Sequence, residues 1–147
     1  MVVNADEAEL RVLVVDDELD SANSLSFLLQ LSGCLTAVAF GGDSTYRMLQ
    51  LFKPGLVFLD LRMPGYDGCG ILNRAKTTLP GVEDIIFVCL TGCADEEERA
   101  LASGFDLFVA KPMDPARLGD IVGLAQAWRR RHNHAREAPE LHDHFAR

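Results

Sequence analysis

The sequence predicts an α/β fold, a (βα)5 doubly wound five-stranded parallel sheet, in a chain of 147 residues. Three observations predict it. Five short apolar runs rich in β-branched residues alternate with five segments of helical spacing. Most of the runs are apolar on both faces, as parallel strands are when helices cover both sides. Right-handed crossovers between successive strands then place helices on both faces of one sheet.

The first strand is expected over residues 12–15. The first helix follows over about 21–31, where Leu25, Leu28 and Leu29 share a face and Gly33 marks a stop. The second strand is expected over 35–40 and the second helix over about 43–52, with Tyr46, Leu49 and Phe52 in phase. The third strand covers 56–59, and the third helix, about 68–77, carries Ile71, Leu72 and Ala75. The fourth strand covers 85–90. The fourth helix, about 95–103, opens with Asp95, Glu96 and Glu97 and closes at Gly104. Acids in a first turn suit the helix dipole, and a glycine past the last turn suits the C-cap. The fifth strand covers 107–110. The fifth helix starts near Pro115, with Leu118, Ile121, Val122, Ala125 and Trp128 at i, i+3, i+4, i+7 and i+10. Arg129, Arg130 and Arg131 extend it. From His132 onward the text is polar and without a period, which reads as a flexible or partner-dependent tail.

The expected organisation is therefore a leader over 1–9, one domain over 10–131 and a tail over 132–147. A chain of this size buries about 68–70% of its extended surface, so its core needs no disulfide or structural metal. Fourteen basic against 22 acidic side chains give a formal charge of −8. An acidic chain repels phosphate backbones, which argues against generic nucleic-acid binding. No stretch approaches the roughly 18 apolar residues of a membrane span. The opening MVVNADEAEL carries acids and no cationic start before an apolar run, so it does not read as a secretory signal. Cys34, Cys69, Cys89 and Cys93 lack ligand-pair spacing and read as reduced core residues of a cytoplasmic protein.

In doubly wound folds the ligand crevice lies beyond the carboxyl ends of the strands. Here the first strand runs into Asp16, Asp17 and Glu18, the third into Asp60, the fourth into Thr91 and the fifth into Lys111. One rim thus gathers at least three carboxylates, a hydroxyl and an ammonium. Carboxylates held together repel one another unless a cation neutralises them or a proton is retained. Hard oxygen ligands in this number suit Mg²⁺, and the absence of thiolate or imidazole argues against zinc or copper. A carboxylate nucleophile, a metal, a cation and a hydroxyl donor are the recurring parts of phosphoryl transfer. Asp60 is the expected nucleophile.

These residues carry a resemblance. VLVVDDE (12–18), LVFLDLRMPGYDG (56–68), VCLTG (88–92) and FVAKP (108–112) occur in order across about residues 10–128. In that combination the chain resembles a response-regulator receiver domain of two-component signalling. GFDLFVAKPMDP (104–115) is similar to receivers of hybrid histidine kinases. The resemblance implies the flavodoxin-like receiver fold, with Asp60 as phosphoacceptor. It also implies Asp17 and Asp60 as direct Mg²⁺ ligands, Asp16 as a ligand through water and the main-chain carbonyl of Arg62 as another. Thr91 and Lys111 would contact the phosphoryl oxygens, and Phe108 would be the aromatic switch, without the hydroxyl of the commoner Tyr. The Lys111–Pro112 bond matches one that is cis in the family. The donor would be a histidine kinase or a histidine phosphotransfer protein, and the output would be altered contact with a downstream protein target. No nucleic-acid or membrane partner is expected, and the chain would be a monomer or weak dimer. Arg62 and Cys93, two residues past Asp60 and Thr91, stand where side chains shield or admit the hydrolytic water.

Plainer readings compete at each position. Asp16 and Asp17 suit a helix-capping turn, Thr91 a strand-end turn, Lys111 a surface charge and Phe108 a core aromatic. Their meeting at one rim favours the site. His132-x-His134 and His142-x-His144 read as exposed residues rather than a metal site. Arg129 to Arg131 read as a solvated helix end. Two other functions stay open: a Mg²⁺-dependent phosphohydrolase, and a non-phosphorylated interaction module of the same fold. A haloacid-dehalogenase-type hydrolase needs an acid two residues after its nucleophile, and that place holds Arg62. A dinucleotide site is weaker still, because DDELDSANS contains no glycine-rich phosphate loop.

Overall fold

The computed structural model describes residues 9–146, excepting the side chains of Ala94 and of residues 133–146. Most of the leader, and the side chains of His134, His142 and His144, therefore lie outside what the structure describes. The elements run β1 (Arg11–Val15), α1 (Leu19–Leu31), β2 (Leu35–Ala39), α2 (Gly42–Phe52), β3 (Leu56–Asp60), α3 (Gly68–Thr78), β4 (Ile86–Thr91), α4 (Glu97–Ala102), β5 (Leu107–Ala110) and α5 (Pro115–Ala146).

One five-stranded sheet has the order β2-β1-β3-β4-β5, with every pairing parallel. The chain winds outward from β1 to β2, then crosses back to build β3, β4 and β5 on the other side. The order therefore reverses between β1 and β3, the kind of place where a crevice opens at the carboxyl ends. Alternate side chains divide the core in two. Val12, Val14, Phe58 and Val88 face Leu25 and Leu29 of α1 and Leu118, Ile121 and Val122 of α5. Leu13, Val15, Val57, Leu59 and Phe87 face Leu49 of α2, Ile71 and Leu72 of α3, and Ala100 of α4. β3 and β4 are buried along their whole length, whereas the edge strand β2 buries only Ala39. Among the described residues no helix is long and apolar enough to cross a membrane.

Several bounds differ from those expected. β3 takes in Asp60 and β4 takes in Thr91, because each pairs with its neighbour up to the rim: Asp60 lies opposite Leu90, and Thr91 opposite Ala110. The Met63-Pro64-Gly65 loop is the tip of a small antiparallel hairpin, in which Arg62 pairs with Asp67 and Met63 with Tyr66. Gly65 supplies the positive φ of 79° that the tip requires. The expected fourth helix is split into a 3₁₀ turn over Ala94–Glu96 and a short α4. The backbone of α5 is helical through Ala146 and so runs through the stretch from residue 132 that reads as a flexible or partner-dependent tail.

Candidate functional site

The parallel register fixes where the rim residues stand. Val15 lies opposite Leu59, so Asp16 follows β1 directly beside Asp60 at the end of β3. The Lys111 amide donates to the Thr91 carbonyl at 2.8 Å, which sets the residue after β5 beside the last residue of β4. Sequence positions nearly a hundred residues apart thus face one crevice.

Lys111 Nζ lies 2.9 Å from Asp16 Oδ2 and 3.2 Å from Asp60 Oδ2. Asp16, Asp17 and Asp60 each offer a carboxylate oxygen, and these lie within 4.8 Å of one another. Asp16 and Asp60 are buried and Asp17 is exposed, so the cluster opens to solvent on one side. The free oxygens are partly satisfied by backbone. Asp16 Oδ1 accepts from the Glu18 amide at 3.0 Å, and Asp60 Oδ1 from the Arg62 amide at 3.2 Å. Asp16 thus closes a local turn ahead of α1 rather than capping the helix, and its other oxygen is engaged in the crevice. Glu18, at the start of α1, makes no side-chain cap.

Burial and the neighbouring charges act against each other on the ionisable groups of this pocket. Burial raises the Asp60 carboxyl above its ordinary value, and Lys111 and the Arg62 amide only partly offset that. Burial pulls the Lys111 ammonium down, yet its bonds to Asp16 and Asp60 outweigh it and the net shift is upward. Three carboxylate oxygens against one ammonium leave the cluster short of positive charge. The donor set is entirely hard oxygen and would fit Mg²⁺.

The surrounding backbone crowds Asp60. A Cβ on Gly68, at the start of α3, would stand 2.6 Å from the Asp60 carbonyl oxygen and 3.0 Å from the Leu61 Cα. Only glycine lets α3 begin this close to the end of β3. Asp67 caps α3 by accepting the Cys69 amide at 3.0 Å. Phe108 is half-buried, opposite Cys89, and packs on the cluster shared with α2, α3 and α4. The Lys111–Pro112 bond is cis.

Two features were not expected. Thr91 does not point its hydroxyl at Asp60: Oγ1 donates to Glu96 Oε2 at 3.2 Å and accepts from the Cys93 amide at 3.1 Å. Glu96 in turn takes the Arg62 guanidinium on Oε1. The sequence places Glu96 in an acidic run that reads as a first helical turn. Nothing in that run distinguishes the buried acid from its exposed neighbours Asp95 and Glu97. At the opposite end of the sheet, a groove between Leu10, Leu35, Pro54 and Ile85 lies well away from these groups.

Comparison with known proteins agrees with this geometry. The model of the response regulator receiver domain matches residues 12–123. An uncharacterized 14.6 kDa protein of Leptolyngbya boryana is 36% identical over 117 residues, covering 78% of this chain and 88% of its own length. The DNA-binding response regulator MtrA of Mycolicibacterium smegmatis is 36% identical over 118 residues, covering 77% of this chain but 49% of its own length. The chain thus spans about half the length of that DNA-binding relative. The receiver domain of NtrX from Brucella abortus is 30% identical, with a TM-score of 0.71 over 79% of this chain and 98% of that one. A CheY-like receiver from Methylobacillus flagellatus has the same fold, with a TM-score of 0.74 over 80% of this chain and 99% of that one at 23% identity. The matched span runs from the second residue of β1 into α5 and takes in every rim residue, and the chain belongs to the response-regulator receiver domain family of two-component signalling.

Proposed function

We propose that this chain is a phosphoacceptor switch of a two-component phosphorelay, phosphorylated on Asp60 by a phosphohistidine of a histidine kinase or histidine phosphotransfer protein. The observation that carries this reading is the meeting of Asp16, Asp17, Asp60 and Lys111 in one crevice open to solvent. A carboxylate oxygen of Asp60 attacks phosphorus, the bond from phosphorus to the imidazole nitrogen breaks, and its electron pair leaves with the imidazole. The product is an acyl phosphate on Asp60 and a free histidine on the donor. Burial strips water from the attacking oxygen, which favours attack. Lys111 neutralises charge on the phosphoryl oxygens and holds Asp60 in place. Asp16, Asp17, Asp60 and the main-chain carbonyl of Arg62 would hold Mg²⁺. When bound, the ion supplies the positive charge that brings two anions together.

The phosphorylated crevice draws in Thr91 and Lys111, and Phe108 turns into the vacated space. The face built by α4, β5 and α5 changes and is read by a downstream protein in the cytoplasm. The chain acts as a monomer or weak dimer and binds no nucleic acid itself. Its chemistry is confined to gaining and losing its own phosphoryl group. Incubation with acetyl phosphate and Mg²⁺ tests this by intact mass. One added phosphoryl group in wild type and none in Asp60→Asn is expected; a chain that gains no mass with either acetyl phosphate or phosphoramidate overturns the reading.

A further inference from the structure

The phosphoryl site is one hydrogen-bond exchange away from completion, and the group that withholds it is Glu96. Its residue is 6% exposed, yet it carries a carboxylate, and that carboxylate is fully engaged. Oε1 takes the guanidinium of Arg62, a side chain that is itself 72% exposed and extends over the surface to reach it. Oε2 takes the hydroxyl proton of Thr91. A hydroxyl has one proton to give, so Thr91 cannot donate to a phosphoryl oxygen on Asp60 while it donates to Glu96. Its acceptor side is occupied too, by the Cys93 amide. Arg62 ties the two ends together, because its amide donates to Asp60 Oδ1 while its side chain holds Glu96.

We propose that Glu96 is a positioning residue for phosphoryl transfer: it holds the Thr91 hydroxyl off the Asp60 site, and Arg62 holds Glu96 in place. This rests on the reading of Asp60 as phosphoacceptor. The bond from Thr91 to Glu96 stabilises only the unphosphorylated arrangement. Its loss is therefore set against every contact Thr91 makes to the phosphoryl group. Glu96 keeps its arginine when Thr91 leaves, so the exchange does not strand a buried charge. The latch slows uptake and favours loss of the phosphoryl group.

The test compares variants of Glu96, each with Thr91 present and with Thr91→Ala. The readout is the rate constant for mass gain with acetyl phosphate and Mg²⁺. Glu96→Met keeps the volume and removes the acceptor; Glu96→Ala is run beside it, so that a folding failure of one variant leaves the comparison intact. Both are expected to raise the rate about 10- to 100-fold, the span one hydrogen bond to a charged group supports. With Thr91→Ala in place the same changes are expected to leave the rate unaltered. Glu96→Gln is neutral as well but keeps an acceptor, and is expected to stay within about twofold of wild type. Equal acceleration by Gln and Met would assign the effect to charge alone and overturn the latch. Acceleration that persists without Thr91, or no acceleration in a wild type that does gain mass, would overturn it equally. A wild type that gains no mass would remove the phosphoacceptor reading and the latch with it.

Discussion

Asp60 stands between two opposing influences, burial that favours its proton and Lys111 that favours its charge. Burial is the larger, so the folded chain holds that proton more tightly than the unfolded one. For an acid shifted this way, the contribution to stability is fully present below the ordinary value of 3.8 and is lost as pH rises through the higher folded value. Once pH exceeds the folded value, the ionised carboxylate is a burden on the fold. In metal-free buffer Asp60→Asn is expected to melt above wild type at pH 7, with the gap closing as pH falls below the ordinary carboxylate range. Thermal melts across pH check this, and a gap that does not change with pH contradicts it. The cysteines give a second case. Cys89 is buried, and desolvation pushes its thiol up to about 12, while Cys69 and Cys93 are half-buried. A disulfide reagent at pH 8 is expected to modify Cys69 and Cys93 in the native protein and to reach Cys89 only on unfolding, read by peptide mass. At this scale the sequence was legible where residue type and strand end coincide, as at Asp16, Asp60 and Lys111. Glu96 was not legible, because its burial depends on a 3₁₀ turn that aims it at Thr91, and local pattern carries no sign of that.

Elements meet at two glycines with opposite consequences. Gly68 abuts backbone, the Asp60 carbonyl and the Leu61 Cα, neither of which can move alone. Gly42 abuts the ring of Tyr66, a half-exposed side chain at the hairpin that follows β3. Gly68→Ala is therefore expected to destabilise by about 1–3 kcal/mol and to displace the end of β3. Gly42→Ala is expected to cost under about 1 kcal/mol as the ring swings into solvent, and the added cost should vanish when Tyr66→Ala is present. Denaturant melts of Gly68→Ala, Gly42→Ala, Tyr66→Ala and the Gly42→Ala, Tyr66→Ala double variant decide it; equal losses at Gly68 and Gly42 would contradict the account. The strands were readable because β3 and β4 are buried on both faces and their text is almost wholly apolar. The hairpin over Arg62–Asp67 was not, since two residues a side carry no period. The split of the fourth helix was hidden too, because the acidic run over Asp95 to Glu98 suits an α-helical first turn as well as the 3₁₀ turn that forms.

Across the whole molecule, the acid rim sits at one end of a sheet whose strands β3 and β4 are buried along their whole length. Its charge is balanced only in part by Lys111, so a divalent cation bound there stabilises the native state and not the unfolded chain. Mg²⁺ at a hundredfold excess over its Kd is expected to add about 2.7 kcal/mol to unfolding, and Asp17→Asn to remove most of that gain. Calorimetry with and without chelator reads it, and an unchanged melting temperature in saturating Mg²⁺ would contradict it. The sheet class was legible from alternation alone, since five strand-and-helix units admit few other arrangements. The order β2-β1-β3-β4-β5 supplies the crevice, and it is the order rather than any local motif that sets Asp16 beside Asp60. The central claim is that this crevice makes one carboxylate, and no other, accept a phosphoryl group. The most direct measurement is borohydride reduction of the chain after treatment with acetyl phosphate and Mg²⁺, followed by peptide mapping. An acyl phosphate reduces to homoserine, and the account predicts homoserine at position 60 alone. Homoserine at position 16 or 17, or at none of the three, would contradict it.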